Sequence, residues 1–150
     1  MESHNISINR KARYNYEILE TYEAGLVLTG TEIKSIRSGN ANLADAYAHA
    51  DGGELWLRNL HISQYAAASS NHHPTRTRKL LLRRNQIIEL THNIGARGLT
   101  VVPLKLYLKN GLAKIELALA RGKKRHDKRQ TIIERDRKRE ADRAIKNRRF

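Results

Sequence analysis

The chain is 150 residues long, carries a formal net charge of +14 and contains no cysteine. That length supports one domain with an appendage. The missing cysteines exclude disulfides, thiolate metal sites and a cysteine nucleophile. No apolar run approaches a signal peptide or the roughly 20 residues of a membrane span, so a soluble cytoplasmic protein with no membrane partner is expected.

The charge is unevenly spread. Residues 121–150 hold fourteen Lys/Arg against five Asp/Glu, whereas the preceding 120 hold fifteen against ten. A modestly basic body, 1–120, with a strongly basic arm, 121–150, points to a polyanion, RNA first among them.

In chain order, residues 1–12 are polar with isolated Ile6 and Ile8 and are expected to form a flexible lead-in. From Tyr14 the alternation through Tyr16, Ile18 and Tyr22 predicts a strand, and Leu26-Val27-Leu28 a second, joined through Glu23-Ala24-Gly25. Gly30-Thr31-Glu32 opens a helix of about two turns carrying Ile33 and Ile36, stopped at Gly39. Asp51-Gly52-Gly53 marks a hairpin between 46–50 and 54–60. Residues 64–79 form a long polar loop, and such loops are more often functional than idle. Leu80-Leu81-Leu82, Ile87, Ile88, Leu90 and Ile94 read as one helix closed by Gly95 and Gly98. Strands over 99–108 and 112–120 meet at Asn110-Gly111, a strong hairpin signal.

Six short strands with mostly local connections predict a mainly β fold. The expected form is a small closed six-stranded barrel of oligonucleotide-binding (OB-like) type with flanking short helices and a disordered basic C-terminal tail; a flat sandwich is the alternative. In the tail, 122–129 is dense in cations. Glu134/Lys138 and Asp142/Lys146 are helical i,i+4 pairs worth only about 0.2–0.5 kcal/mol each, too little to hold a helix unaided. Disorder in isolation, and a helix on a polyanionic partner, are expected.

Catalytic patterns are missing. There is no Gly-rich phosphate loop and no paired-His motif, and adjacent His72 and His73 point apart in an extended segment, so neither metal nor cofactor is expected. His126 in His126-Asp127-Lys128-Arg129 would need a rigid support to cleave RNA, so an enzyme is not expected. RNA binding is better supported: Arg10-Lys11-Ala12-Arg13-Tyr14-Asn15-Tyr16 sets cations beside rings that can stack on bases, although Tyr16 could equally pack inside the body. A second cluster, Arg76, Arg78 and Lys79 with Arg83 and Arg84, is expected to face solvent as binding surface.

Five segments occur in register: Asn9-Arg10-Lys11-Ala12-Arg13, Glu23-Ala24-Gly25, Gly30-Thr31-Glu32-Ile33-Lys34-Ser35-Ile36-Arg37, Pro74-Thr75-Arg76-Thr77-Arg78-Lys79-Leu80-Leu81-Leu82 and Gly122-Lys123-Lys124-Arg125-His126-Asp127-Lys128-Arg129. Together they resemble the SsrA-binding protein (small protein B) family over nearly the whole chain. One departure is Tyr14, where the family usually has His. The resemblance implies a bacterial adaptor that binds the tRNA-like domain of transfer-messenger RNA, one copy per RNA, and enters stalled ribosomes in trans-translation. It also implies that Asn9, Lys11, Arg13, Tyr14 and Glu23 face RNA, with Glu23 accepting hydrogen bonds from base or ribose donors. The tail, with Lys123, Lys124, His126, Asp127, Lys128 and Arg129, would occupy the decoding centre and vacant message channel of the small subunit, and Ile145 would support its distal helix. Two other readings remain: a general RNA-binding or translation-factor barrel without preference for that RNA, and an RNA-cleaving enzyme using His126.

Overall fold

The computed structural model describes residues 3–123 and 125–147. The elements run β1 (Ser3–Ile8), α1 (Ala12–Asn15), β2 (Tyr16–Leu26), α2 (Gly30–Arg37), β3 (Ala41–Asn42), β4 (Tyr47–Asp51), β5 (Glu54–Arg58), β6 (His61–Ile62), β7 (Arg78–Leu81), α3 (Arg84–Ala96), β8 (Thr100–Lys109), β9 (Leu112–Gly122) and α4 (Arg125–Asn147). Seven strands form one antiparallel sheet in the order β1-β8-β9-β2-β7-β5-β4, and β3 pairs separately with β6.

The mainly β reading with flanking helices holds, but the closed six-stranded barrel does not. The sheet curls far enough to bring β4 against β8, yet it ends in β1 and β4 with no ladder between them. The strand number differs at particular segments. Residues 3–8 are not a flexible lead-in; their backbone pairs along β8 as an edge strand, with Ile6 packed on the core and Ser7 Oγ accepting from Leu43 N–H at 3.2 Å. Leu80 and Leu81 belong to β7, not to the helix that follows; that helix starts at Arg84. Finally, Glu23-Ala24-Gly25 is no turn, because β2 runs through it unbroken. Gly25 serves close approach: a Cβ there would stand 3.3 Å from Leu81 Cβ on the neighbouring strand.

The interior is apolar and continuous. Leu55, Leu57, Leu80, Leu106, Ile115 and Leu117 are fully buried, with Ile36 of α2 and Leu90 of α3 among them. Each such side chain contributes about 1.5–3 kcal/mol relative to exposure. Side chains alternate along β5 with Leu55 and Leu57 buried, but Leu60 is also buried because Asn59 adopts φ 63° and reverses the pattern. Turn chemistry explains the two hairpins: Gly52 and Gly53 have φ 59° and 78°, and Asn110 and Gly111 have 53° and 77°. α2 carries a reciprocal cap in which Thr29 Oγ1 accepts from Glu32 N–H at 3.4 Å and Glu32 Oε1 accepts from Thr29 N–H at 2.8 Å.

β2 and β9 carry the site, and their register contains an irregularity between Ile18 and Glu20. One additional residue there turns over the faces of β2. Beyond it Tyr22, Ala24 and Leu26 point into the main core. Before it Tyr16 and Ile18 join Ala12, Val102, Leu104, Ala118 and Ala120 in a second apolar cluster on the outer face, beneath α1. The basic arm, read as disordered in isolation, is helical here over Arg125–Asn147, with Ile132 and Ile133 exposed.

Candidate nucleic-acid interface

The first predicted cluster gathers around α1. Asn9 is committed to the body: its N–H donates to Leu104 O at 2.7 Å and its Nδ2 to Pro103 O at 3.0 Å, which fixes where α1 begins. Lys11 and Arg13 are exposed, and Tyr14 is half-buried. Tyr16, at the end of α1, packs on the outer apolar cluster, so the packing alternative for this ring is the one adopted. The root of the arm is tied to the same helix. Lys123 N–H donates to Asn15 O at 2.9 Å, and its Nζ donates to Arg13 O at 2.9 Å. α4 then starts beside α1.

Glu23 lies seven residues beyond Tyr16 on β2, six steps along the paired β9, which at strand rise is about 20 Å away. Its surroundings come from β8 and β9. The Tyr107 hydroxyl donates to Glu23 Oε2, and Lys109 Nζ stands 3.6 Å from the same oxygen. Glu116 is the cross-strand partner of Glu23, and Lys105 offsets this like-charge pair from 3.5 Å. The Tyr107 hydroxyl chiefly, with Lys109 and Lys114 adding to it against partial burial, holds the Glu23 carboxyl below its ordinary value. Burial first and Glu23 second push the Tyr107 phenol up, so it remains a donor. Two concavities share Glu23 as a wall: one contains Lys105, Tyr107, Lys109 and Glu116, the other Leu81, Leu82, Arg83, Gln86 and Lys114. Sequence reasoning named Glu23 but missed Tyr107, Lys109, Lys114 and the half-exposed Leu81. The alternation of Lys105, Tyr107 and Lys109 along β8 was the signal that could have found three basic or aromatic side chains on one face.

The second predicted cluster breaks apart. Arg78 is not on the surface: it is fully buried, its Nε donating to Glu32 Oε2 and its Nη1 to Leu60 O at 2.5 Å, with Nη2 on Pro74 O at 3.1 Å and His73 O at 3.4 Å. Arg76 is half-buried, donating through Nη2 to Glu32 Oε1 at 2.5 Å and to Val27 O at 3.3 Å. The solvent-facing expectation is therefore corrected for Arg78, and for most of Arg76, because a buried carboxylate recruits both guanidiniums. Burial opposes the Glu32 charge, but Arg76, the Thr29 N–H and Arg78 outweigh it and hold the carboxyl below its ordinary value. Lys79, 3.9 Å from Glu54, together with exposed Arg83 and Arg84, remains at the surface.

His72 is not a ligand in waiting either. It is buried, its Nε2 donating to Ile62 O at 2.9 Å, which leaves Nδ1 to accept from the Thr31 hydroxyl at 2.9 Å. Among the described residues no group of three or more His, Asp or Glu could hold a metal ion, and no helix is long and apolar enough to cross a membrane. In the arm, Arg129 is exposed; Lys124 lies outside the described residues, as do the side chains of His126, Asp127, Lys128 and Ile145.

Comparison with known proteins bears on both halves of the molecule. The chain is 57% identical over 145 residues to an SsrA-binding protein of Thermosynechococcus vestitus, covering 95% of each. It is 57% identical over 141 residues to one of Mycolicibacterium gilvum, covering 93% of this chain and 86% of that one. Among solved structures it is similar to a chain from "tmRNA-SmpB: a journey to the center of the bacterial ribosome", with a TM-score of 0.66 and 46% identity over 83% of this chain and 92% of that one. The family model described as SmpB protein matches residues 6–147, from β1 through α4, so strand edge, Glu23 face and arm fall within one continuous match, and the chain belongs to the SmpB family.

Proposed function

We propose that this chain is an RNA-binding adaptor that binds the tRNA-like domain of transfer-messenger RNA and delivers it to stalled ribosomes for trans-translation. The observation that carries this reading is the extent of the family match, which runs without interruption through body and arm. The body, whose curled sheet we read as oligonucleotide-binding in type, supplies RNA selection. Exposed Lys11 and Arg13 engage phosphates at one end of β2, and an ionised Glu23 accepts base or ribose donors at the other. The two regions span about 20 Å, a length that suits a folded RNA better than a single nucleotide. The arm serves the small subunit: its cations, Lys123 to Arg129, follow ribosomal phosphates in the decoding centre and vacant message channel, where the helix is retained at the expense of disordered conformers. One copy acts per RNA, in the cytoplasm, and no bond is made or broken.

The test compares the full chain with a truncation after Lys123, which keeps β9 and the tie to α1 intact. Both are titrated with the tRNA-like domain against ordinary tRNA across a salt series, and both are assayed for peptide tagging on stalled ribosomes. Retained RNA preference with lost tagging supports the division of labour. No preference for the tRNA-like domain in the full chain returns the protein to the general RNA-binding class, and tagging by the truncation removes the arm's role.

A further inference from the structure

We infer that Tyr107 sets RNA specificity by positioning the Glu23 carboxylate, committing one oxygen to the protein and leaving the other for a hydrogen-bond donor on base or ribose. The inference rests on Glu23 facing RNA, as proposed above. Its basis is the asymmetry of the contacts: the phenol and the Lys109 ammonium both meet Oε2. Oε1 then remains the oxygen with which a ligand in either adjoining concavity can engage.

Tyr107 is itself a fixed part. Its side chain is buried in β8 and Lys105 Nζ lies over its ring, 5.3 Å from the centroid. Lys105 is in turn drawn by Glu116 at 3.5 Å. A phenol held this way makes a charge-assisted hydrogen bond to a carboxylate that would otherwise rotate freely on an exposed strand. Ordering an acceptor before the ligand arrives lowers what binding must spend on side-chain entropy. It also discriminates. An oriented carboxylate repels phosphate, so bulk RNA gains nothing from it, whereas an RNA presenting an amino or hydroxyl donor gains a hydrogen bond.

The charged and titratable groups facing Glu23 are Lys105, Tyr107 and Lys109 from β8, Lys114 and Glu116 from β9, and Arg83 ahead of α3. Glu116 is the other carboxylate among them, and it is common to every variant below. Removing the phenol takes away the leading cause that holds the Glu23 carboxyl below its ordinary value, so loss of specific binding on acidification moves to higher pH.

The experiment titrates the full chain and the variants Tyr107→Phe, Glu23→Gln and their double with the tRNA-like domain and with ordinary tRNA, between pH 4 and 7 at fixed salt. Glu23 ionisation is followed separately in the free protein by carboxyl carbon NMR. Tyr107→Phe keeps the ring and its cation contact. It is expected to weaken the tRNA-like domain about five- to tenfold while leaving ordinary tRNA unchanged, to raise the Glu23 titration midpoint, and to add nothing further in the double variant. If Glu23→Gln lowers preference but Tyr107→Phe changes neither preference nor midpoint, Tyr107 is packing alone and the inference is overturned. If Glu23→Gln leaves preference intact, the reading of Glu23 as RNA-facing fails and takes the inference with it.

Discussion

Replacing Glu32 by Gln preserves shape and leaves an amide oxygen able to accept from the Thr29 N–H, but removes the negative charge facing Arg76 and Arg78. Arg78 then remains fully buried as an uncompensated cation. Breaking a buried pair from one side typically costs about 3–5 kcal/mol. Three carbonyls, of Leu60, His73 and Pro74, still accept from Arg78, which places the expected cost at the lower end, about 3 kcal/mol. With a urea m-value of about 2 kcal/mol/M, the unfolding midpoint should fall by about 1.5 M at neutral pH with the slope unchanged. In a double-mutant cycle with Arg78→Met the two costs should overlap by roughly 0.5–3 kcal/mol, because the second change removes the cation stranded by the first. A midpoint shift below about 0.5 M, or strictly additive costs, would refute the argument that this carboxylate is what permits a guanidinium in the core.

The same group predicts an acid dependence: the folded Glu32 carboxyl lies below its ordinary value of 4.5, so the unfolded chain binds more protons in the acid range. Its stabilisation is complete above about pH 4.5 and is lost as pH falls through the folded value, and urea midpoints measured downward from pH 6 should fall less steeply in Glu32→Gln. Gly111→Val should cost about 1–2 kcal/mol by thermal unfolding, wholly through its φ of 77°, since nothing lies within 4 Å of a Cβ there. Lys123→Met removes the ammonium from the Arg13 carbonyl, and the Lys123 amide, which donates to Asn15, should exchange with solvent roughly fivefold faster, an unchanged rate excluding the tie. Leu117→Ala, at a site fully buried at the β2/β9 seam, should cost about 2–5 kcal/mol in the same unfolding assays.

What could be read from the sequence was what depended on neighbours along the chain. The turns at Asp51-Gly52-Gly53 and Asn110-Gly111 and the capped helix Gly30–Arg37 are governed by residues within a few positions of one another, and all three stand as expected. Features set by distant partners were not legible. Ser3–Ile8 looks unstructured because an edge strand needs little apolar surface; its order comes from backbone pairing to β8, about a hundred residues later. Gly25 looked like a turn because the side chain it makes room for, Leu81, arrives from another strand. Arg78 sits in a run of cations that reads as surface, and only Glu32, 46 positions away, explains its burial. At the interface, Glu23 came from the family resemblance, whereas the Tyr107 hydroxyl that holds it is 84 positions distant, and the alternation of Lys105, Tyr107 and Lys109 marks a face of β8 without naming its partner on β2.

The irregularity at Ile18 and Glu20 bears on how this chain can change length. With one additional residue between them, Tyr16 and Ile18 face the outer cluster and Tyr22, Ala24 and Leu26 the main core although all five hold even positions, so that residue sets which parity points inward. Deleting Leu19 would close Ile18 and Glu20 into one regular register opposite Ala120 and Leu119 and keep both sets on their faces, whereas losing a residue inside a set, such as Glu23 between Tyr22 and Ala24, would force part of that set to trade places with solvent. Loop 64–79 is free of that constraint between Ser63 and the ties at His72, His73 and Pro74, so length variation among descendants of this sequence is expected to collect there and to stay out of β2.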